Sequence, residues 1–384
     1  MRKLSLAVLM VLVVFTCTPL TLAMELGGEV DVIWTGTLQD DGKFDGSLRE
    51  SLNLELFLPP LGSSEVRYEF LLTQPVQSLL AEHEASYFTK KLYVKHRFEH
   101  FHVTLGRQPI SWSFGSLLNP VDYTLGAVAL DEESPSKYTD ALEVYVPTSW
   151  NSGVDFVFSF PRGFDTDRDS LKWGARGRWG VNGYDLTINY VEEAASSGGV
   201  GDGTLAMGSA GGLLSGLFPR QRLGATVKGD IGNLGVYGAL GRYFDSGLAR
   251  QSNMSYLLGA DYSYNPDYFT KITMQLEYLG IDLYSLAPSI RTQLLKMDPN
   301  DNRLDLLTGS LSYPLDDFAS VHLVTMVNLD DGSLLLSPSY KNTLSGNVDL
   351  VLAGSVLRGK ADTLFGPSDL MPQAMVSVEL SYAF

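Results

Sequence analysis

The 384-residue chain carries 44 acidic against 28 basic side chains, a formal charge of −16, which excludes a nucleic-acid-binding role that would need a basic footprint. Its single cysteine, Cys17, sits near the start, so disulfides and thiolate metal sites are excluded from the rest of the chain. The 38 Gly, 19 Tyr, 18 Phe and 5 Trp suit many strands and turns better than a helical bundle, and a mean hydropathy near zero leaves periodicity to decide the class.

In chain order, the first feature is a basic pair, Arg2 and Lys3, followed by an apolar run from Leu4 to Phe15 broken only by Ser5. Thr21-Leu22-Ala23 then offers small residues of the kind a signal peptidase reads. The run is shorter than the roughly 20 apolar residues of a spanning helix. Residues 1–23 are therefore expected to be a removed export signal, and residues 24–384 one domain. Cleavage removes Cys17 and, with Arg2 and Lys3, takes the formal charge from −16 to −18.

Beyond that segment, apolar and polar side chains alternate almost to the end. Leu48, Leu52, Leu54, Leu56 and Leu58 share one parity, with Arg49, Ser51, Asn53 and Glu55 on the other. Val154, Phe156, Phe158 and Phe160 alternate with Asp155 and Ser159, and Tyr184, Leu186, Ile188 and Tyr190 with Asp185, Thr187 and Asn189. Period-2 segments of this kind are strands with one apolar and one polar face. Most run near the 9–11 residues of a tilted membrane-crossing strand, against about 5–6 in a soluble sandwich. Trp34, Tyr68, Trp173, Trp179, Tyr190, Tyr278 and Tyr382 lie near segment ends, as interfacial girdles require.

Strands are predicted at 28–38, 46–58, 64–72, 87–98, 101–108, 138–146, 153–160, 170–179, 183–192, 220–230, 233–244, 254–264, 269–281, 303–313, 317–328, 332–341, 346–356 and 373–384. The fold expected is all-β: a transmembrane antiparallel up-and-down β-barrel of about 18 strands, or about 16 if weak hairpins merge. Every second connection is short (59–63, 99–100, 147–152, 180–182, 231–232, 265–268, 314–316 and 343–345). The others are mostly long, notably 109–137, 193–219, 282–302 and 357–372. That asymmetry separates a periplasmic rim from an external one.

Candidates for the lumen follow from the inward parity. On the fourth strand they are Tyr93, Lys95 and Arg97; on the eighth, Lys172, Arg176 and Arg178; on the tenth, Arg222 and Lys228. Acidic partners come from Glu55, Glu65, Glu69 and Glu143, and from Asp131, Glu132 and Glu133 in the 109–137 loop. If that loop folds into the mouth, a basic wall would face an acidic loop across a transverse field; a mixed-charge lining that merely keeps the lumen wet is the plainer alternative.

Two motifs add resemblances. Val376, Val378, Leu380, Tyr382 and Phe384 alternate with Ser377, Glu379, Ser381 and Ala383, and the chain stops on the aromatic. This resembles the C-terminal assembly signal of Gram-negative outer-membrane proteins, with Tyr382 and Phe384 as its key residues, and it implies the barrel assembly machinery and outer-membrane lipids as partners. Gly106-Arg107-Gln108-Pro109-Ile110-Ser111-Trp112-Ser113-Phe114-Gly115, followed by Asn119-Pro120-Val121-Asp122, resembles a stretch of porin-like barrels related to alginate-export barrels. The likeness covers under a tenth of the chain and implies a solute- or polymer-conducting barrel. Arg107 joins the lumen candidates on this ground, although plain alternation turns it outward unless Gly106 forms a bulge.

Of the five histidines, His83, His96, His100, His102 and His322, the spacing that stands out is His100-x-His102, which reads as a solvated turn, so neither metal nor cofactor is expected. No Ser or Asp is tied to a His by catalytic spacing, and the Gly-rich 198–216 stretch lacks the strand-to-helix setting of a phosphate cradle. The function expected is a non-enzymatic, porin-like channel for small polar solutes or saccharides, with a homo-trimer as one assembly. An outer-membrane hydrolase barrel and an occluded structural or adhesive barrel are the rival readings.

Overall fold

The computed structural model describes residues 25–39, 41–75, 86–112, 119–123, 138–160, 171–194, 221–244, 253–267, 270–282, 303–360, 363–366 and 372–384. The predicted export signal, residues 1–23, lies outside the described residues. The strands are β1 (Glu25–Leu38), β2 (Phe44–Phe57), β3 (Ser64–Thr73), β4 (Ser86–Arg97), β5 (His102–Pro109) and β6 (Tyr138–Ser149). Next come β7 (Ser152–Ser159), β8 (Lys172–Val181), β9 (Tyr184–Glu192), β10 (Gln221–Ile231), β11 (Leu234–Phe244) and β12 (Asn253–Tyr264). The last six are β13 (Ile272–Asp282), β14 (Arg303–Pro314), β15 (Ala319–Asn328), β16 (Leu334–Ser345), β17 (Val348–Arg358) and β18 (Ala374–Ala383).

Each strand pairs antiparallel with its sequence neighbours, and β18 pairs with β1, so the sheet of 18 strands closes on itself. Closure removes every sheet edge, which lipid would otherwise leave unsatisfied. The terminal Phe384 sits at the seam: its N–H donates to Gly28 O (2.9 Å) and its carbonyl accepts from Gly28 N–H (3.1 Å). A Cβ on Gly28 would fall 2.7 Å from the Phe384 ring, so the missing side chain admits the aromatic.

Parity does what the alternation predicts. On β9, Leu186 and Ile188 are exposed while Asn189 is buried, and on β7 exposed Phe156 lies between buried Asp155 and Val157. Exposed Val32, Trp34, Leu48, Leu223, Leu240, Leu258, Leu276, Leu311, Val356 and Leu380 continue this belt around the closed sheet. An apolar surface of that extent needs lipid around it.

Several boundaries move. β6 runs through Pro147 to Ser149 rather than ending at 146, because a register shift between Pro147 and Ser149 accommodates a residue that cannot donate to the ladder. The hairpin after β8 turns at Asn182-Gly183, both with positive φ (52° and 84°), the pair that a tight two-residue hairpin requires. Two connections on the long-loop rim, 39–43 and 329–333, are as short as those on the other rim.

Candidate functional site

The chain leaving β5 turns into the lumen. Ile110 and Trp112 are buried, and so are residues 119–123, with Tyr123 fully enclosed. Asp122 organises this fold-back: Oδ1 accepts the N–H of Trp112 (2.6 Å) and of Tyr123 (2.6 Å), and Oδ2 accepts from Ser111 Oγ (3.1 Å). One carboxylate thereby ties the two described pieces of the loop together. Asn119 Oδ1 accepts the Val121 N–H (3.0 Å) and shapes the turn within the second piece.

The landing surface is the inner wall of β7–β11. Asn189 Nδ2 donates to Val121 O (2.7 Å), Tyr243 Oη to Pro120 O (2.7 Å), and Tyr123 Oη pairs with Ser159 Oγ (2.6 Å). Beneath the loop lie inward-facing glycines. A Cβ on Gly224 would stand 2.6 Å from Val121 Cβ, one on Gly174 2.9 Å from the Trp112 ring, and one on Gly241 3.0 Å from Pro120 O. These glycines make the trough in which the loop lies.

Arg222 is the central anchor. Its side chain is buried, one guanidinium nitrogen donates to Asp122 O (2.8 Å) and Tyr123 O, and the other reaches Glu193 Oε1 (2.5 Å). Lys172 completes the cluster, 3.0 Å from the same Glu193 oxygen and 4.4 Å from the centroid of the Tyr123 ring. Burial pushes the Glu193 carboxyl up, but Lys172 and Arg222 outweigh it and hold the group below the usual carboxylate range. Both bases thus fasten the loop.

The other candidates divide by position. Arg176 pairs with Asp155 (2.7 Å) and lies 5.2 Å from the Trp112 ring; Arg178 pairs with Asp185 (3.1 Å). Arg97 pairs with Glu65 (3.3 Å), Arg67 with Glu55 (3.4 Å) and Glu65 (2.8 Å), and Lys91 with Glu69 (2.5 Å). Tyr93 stands beside Gly106, and Lys95, Thr104 and Glu143 occupy one cross-strand row. Lys228 is exposed on β10, in register with Asp185 and Tyr237. Asp131, Glu132 and Glu133 lie outside the described residues.

The bases at Arg97, Arg176 and Arg178 carry carboxylates from the wall itself, and the described part of the loop presents aromatic rings and carbonyl oxygens. Arg107 keeps the outward parity. Gly106 has φ +126° and abuts Leu92 O, yet the register runs one-to-one through Tyr93, Gly106 and Ala141, with no inserted residue. The Arg107 guanidinium meets Asp140 (3.6 Å) and the Phe88 ring (4.8 Å).

A second loop also enters, and the sequence reading missed it. Phe365 is buried among Leu257, Leu279, Leu306 and Val121, in an apolar cluster on the inward parity of β11–β14. Asp331 tethers it: Oδ2 accepts the Leu364 N–H (2.8 Å), Oδ1 accepts the Ser333 N–H (2.7 Å), and Ser333 Oγ accepts the Phe365 N–H (3.1 Å). Burial raises the Asp331 carboxyl, but its hydrogen bonds with Ser333 and Leu364 bring it below the ordinary range.

No family model matches the chain, and no curated protein matches it in sequence. Among solved structures it is similar to Acinetobacter baumannii OccAB3, with a TM-score of 0.54 and 9% identity, covering 94% of this chain and 99% of that one. Pseudomonas aeruginosa OccK11 (OpdR) gives a TM-score of 0.54 and 10% identity, covering 94% of this chain and 96% of that one. The chain shares their barrel fold. The alginate-export resemblance of the Gly106–Asp122 motif gains no support from these likenesses; in the structure Gly106–Pro109 end β5, Ile110–Trp112 start the inward loop, and Asn119–Asp122 lie in its buried second piece.

His96 bonds Ser64 (2.7 Å), His322 bonds Ser320 (2.9 Å), and the His102 ring lies beside Tyr145. Among the described residues no group of three or more His, Cys, Asp or Glu side chains is arranged to hold a metal ion.

Proposed function

We propose that the chain is a bacterial outer-membrane channel through which small polar solutes, saccharides among them, diffuse passively. The observation that carries this reading is the pair of loop pieces, residues 110–112 and 119–123, pinned inside a closed barrel whose strand number leaves room for an aqueous path. A loop laid on the wall narrows such a path without filling it. The wall carries ion pairs, of which Arg97–Glu65 and Arg178–Asp185 are partly exposed and offer donors and acceptors to a passing solute.

On this reading residues 1–23 direct export and are removed. Tyr382 and Phe384 at the seam are what the barrel assembly machinery reads, outer-membrane lipids cover the apolar belt, and three copies associate. Tyr93, Lys95, Arg97, Glu143, Arg176, Arg178 and Lys228 line the path, whereas Lys172 and Arg222 act on it through the loop. The chemistry is transport rather than catalysis. Planar-bilayer recording of the purified, folded protein tests it: discrete conductance steps are expected. A folded barrel that inserts and passes no current would overturn the channel and leave the occluded structural reading.

A further inference from the structure

Strand lysines avoid the lipid-facing parity. Among the described residues Lys91, Lys95, Lys172, Lys228 and Lys341 face the lumen, and Lys90 sits in the β4 bulge beside Glu69. Four arginines take the opposite parity: Arg107, Arg242, Arg303 and Arg358. All four lie at the rim of the long connections. Arg107 and Arg242 come two residues before the ends of β5 and β11, Arg303 opens β14, and Arg358 closes β17. At the other rim the same parity carries Tyr264, Tyr313 and Tyr382.

Charge on a lipid-facing position is costly at the midplane and cheap at an interface. That accounts for finding arginine near a rim, but not for finding it at one rim alone. An asymmetric partner does: a lipid leaflet whose headgroups are anionic on the side of the long loops.

On β11–β14 these arginines sit in a built setting. The Arg303 guanidinium lies 4.4 Å from the Tyr256 ring centroid, reaching across β13 where a Cβ on Gly280 would be 2.7 Å from Arg303 Nη2. Arg303 Nε donates to Asp305 Oδ1 (3.3 Å), which also accepts from Tyr278 Oη (3.0 Å); Tyr278 and Tyr256 hydroxyls are 2.9 Å apart. Arg242 lies 5.1 Å from the Phe244 ring, with Met254 beside it in register. A guanidinium beside a ring keeps its planar donor fork, and that fork matches the two oxygens of a phosphate.

We propose that the outward face of β11–β14 at the long-loop rim binds a phosphate of an outer-leaflet lipid headgroup, with Arg242 and Arg303 as donors. The Tyr256, Tyr278 and Asp305 cluster positions Arg303. The site rests on the outer-membrane reading above and is independent of conduction.

The test titrates purified lipopolysaccharide against the purified, folded protein in detergent and reads lipid retention by native mass spectrometry. Wild type is expected to retain it, and chemically dephosphorylated lipopolysaccharide about tenfold less. The R242Q/R303Q variant should lose retention to a similar degree, R242K/R303K should fall between, and Lys271→Gln at the opposite rim should match wild type. Equal retention of the dephosphorylated lipid, or full retention by R242Q/R303Q, overturns the site. Should the double variant fail to fold, the dephosphorylated arm on wild type still decides. A conducting barrel indifferent to phosphate overturns this site alone; one that holds the lipid and passes no current overturns the channel alone.

Discussion

Replacing Arg222 by Met removes the cation beneath the inward loop while nearly conserving volume. Two charge-assisted contacts are lost, to the Asp122 and Tyr123 carbonyls, together with the contact to Glu193. Hydrogen bonds to a charged group contribute about 1.5–3 kcal/mol each. Glu193 keeps Lys172 at 3.0 Å, so it is not stranded as a bare buried charge. The low end of the two carbonyl contacts, about 3 kcal/mol, is thus the loss expected in loop anchoring. That corresponds to a roughly 100-fold rise in the ratio of released to seated loop. Asn189, Tyr243 and Ser159 still hold other points, so release should be intermittent. Single-channel recording of R222M should show open-channel noise and excursions to higher conductance, with Arg222→Lys partly restoring quiet current. A folded R222M barrel, verified by its heat-modifiable gel shift, with wild-type conductance and noise would refute the anchoring role.

Parity predicts that Phe156→Arg, which places a charge in the lipid belt, destabilises the barrel by about 2–4 kcal/mol near the midplane, while Thr187→Arg on the inner wall costs far less; denaturant titration in lipid vesicles compares them. Deleting Phe384 removes the seam hydrogen bonds to Gly28 and should lower the folded fraction in cells while leaving synthesis intact, read by heat-modifiable migration. Asp331, whose carboxyl titrates below its ordinary value in the folded protein, holds the Phe365 loop above the unfolded-state value and loses that contribution as pH falls through the lowered one. Asp331→Asn should therefore loosen the loop already at neutral pH, seen as faster hydrogen exchange at the Leu364 amide; unchanged exchange would count against the tether.

The barrel was legible because lipid and water impose opposite demands on adjacent residues, so pairs such as Phe156/Asp155 and Leu186/Asp185 reveal their faces without tertiary information. The export signal was read from local pattern, and the described residues do not test it. What stayed hidden is what barrel closure brings together. Arg222 and the Asp122 carbonyl are 100 residues apart, and no local rule separates an arginine that lines a path from one that lies under a loop. Two signals were present and unread. Gly174, Gly224 and Gly241 put bare backbone on the inward parity of β8, β10 and β11, which marks a wall approached closely by other chain. Leu257-Leu258 and Leu306-Leu307 are apolar on both parities, a break in the alternation where Leu257 and Leu306 join the cluster that receives Phe365.

Arg178 and Asp185 offer the cleanest test of how the proposed channel treats charge. They face each other at 3.1 Å, both about half exposed. Arg176–Asp155 at 2.7 Å and Lys341–Asp349 at 2.8 Å repeat the arrangement around the wall. Opposite charges this close act as a dipole at longer range, so neither the basic residues nor the chain's formal −16 sets the field along the axis; loop charges beyond about 8 Å are screened at physiological salt in any case. A solute at the wall instead meets alternating donors and acceptors at hydrogen-bonding range. Wild-type reversal potential in a salt gradient should then lie near zero. Arg178→Gln bares Asp185 and should shift it toward cations, Asp185→Asn should shift it toward anions by a similar amount, and the double variant should return to the start. Each shift should shrink in molar salt, where the screening length falls to about 3 Å. A strongly selective wild-type pore that ignores both single substitutions would show that selectivity is set elsewhere than at these wall pairs.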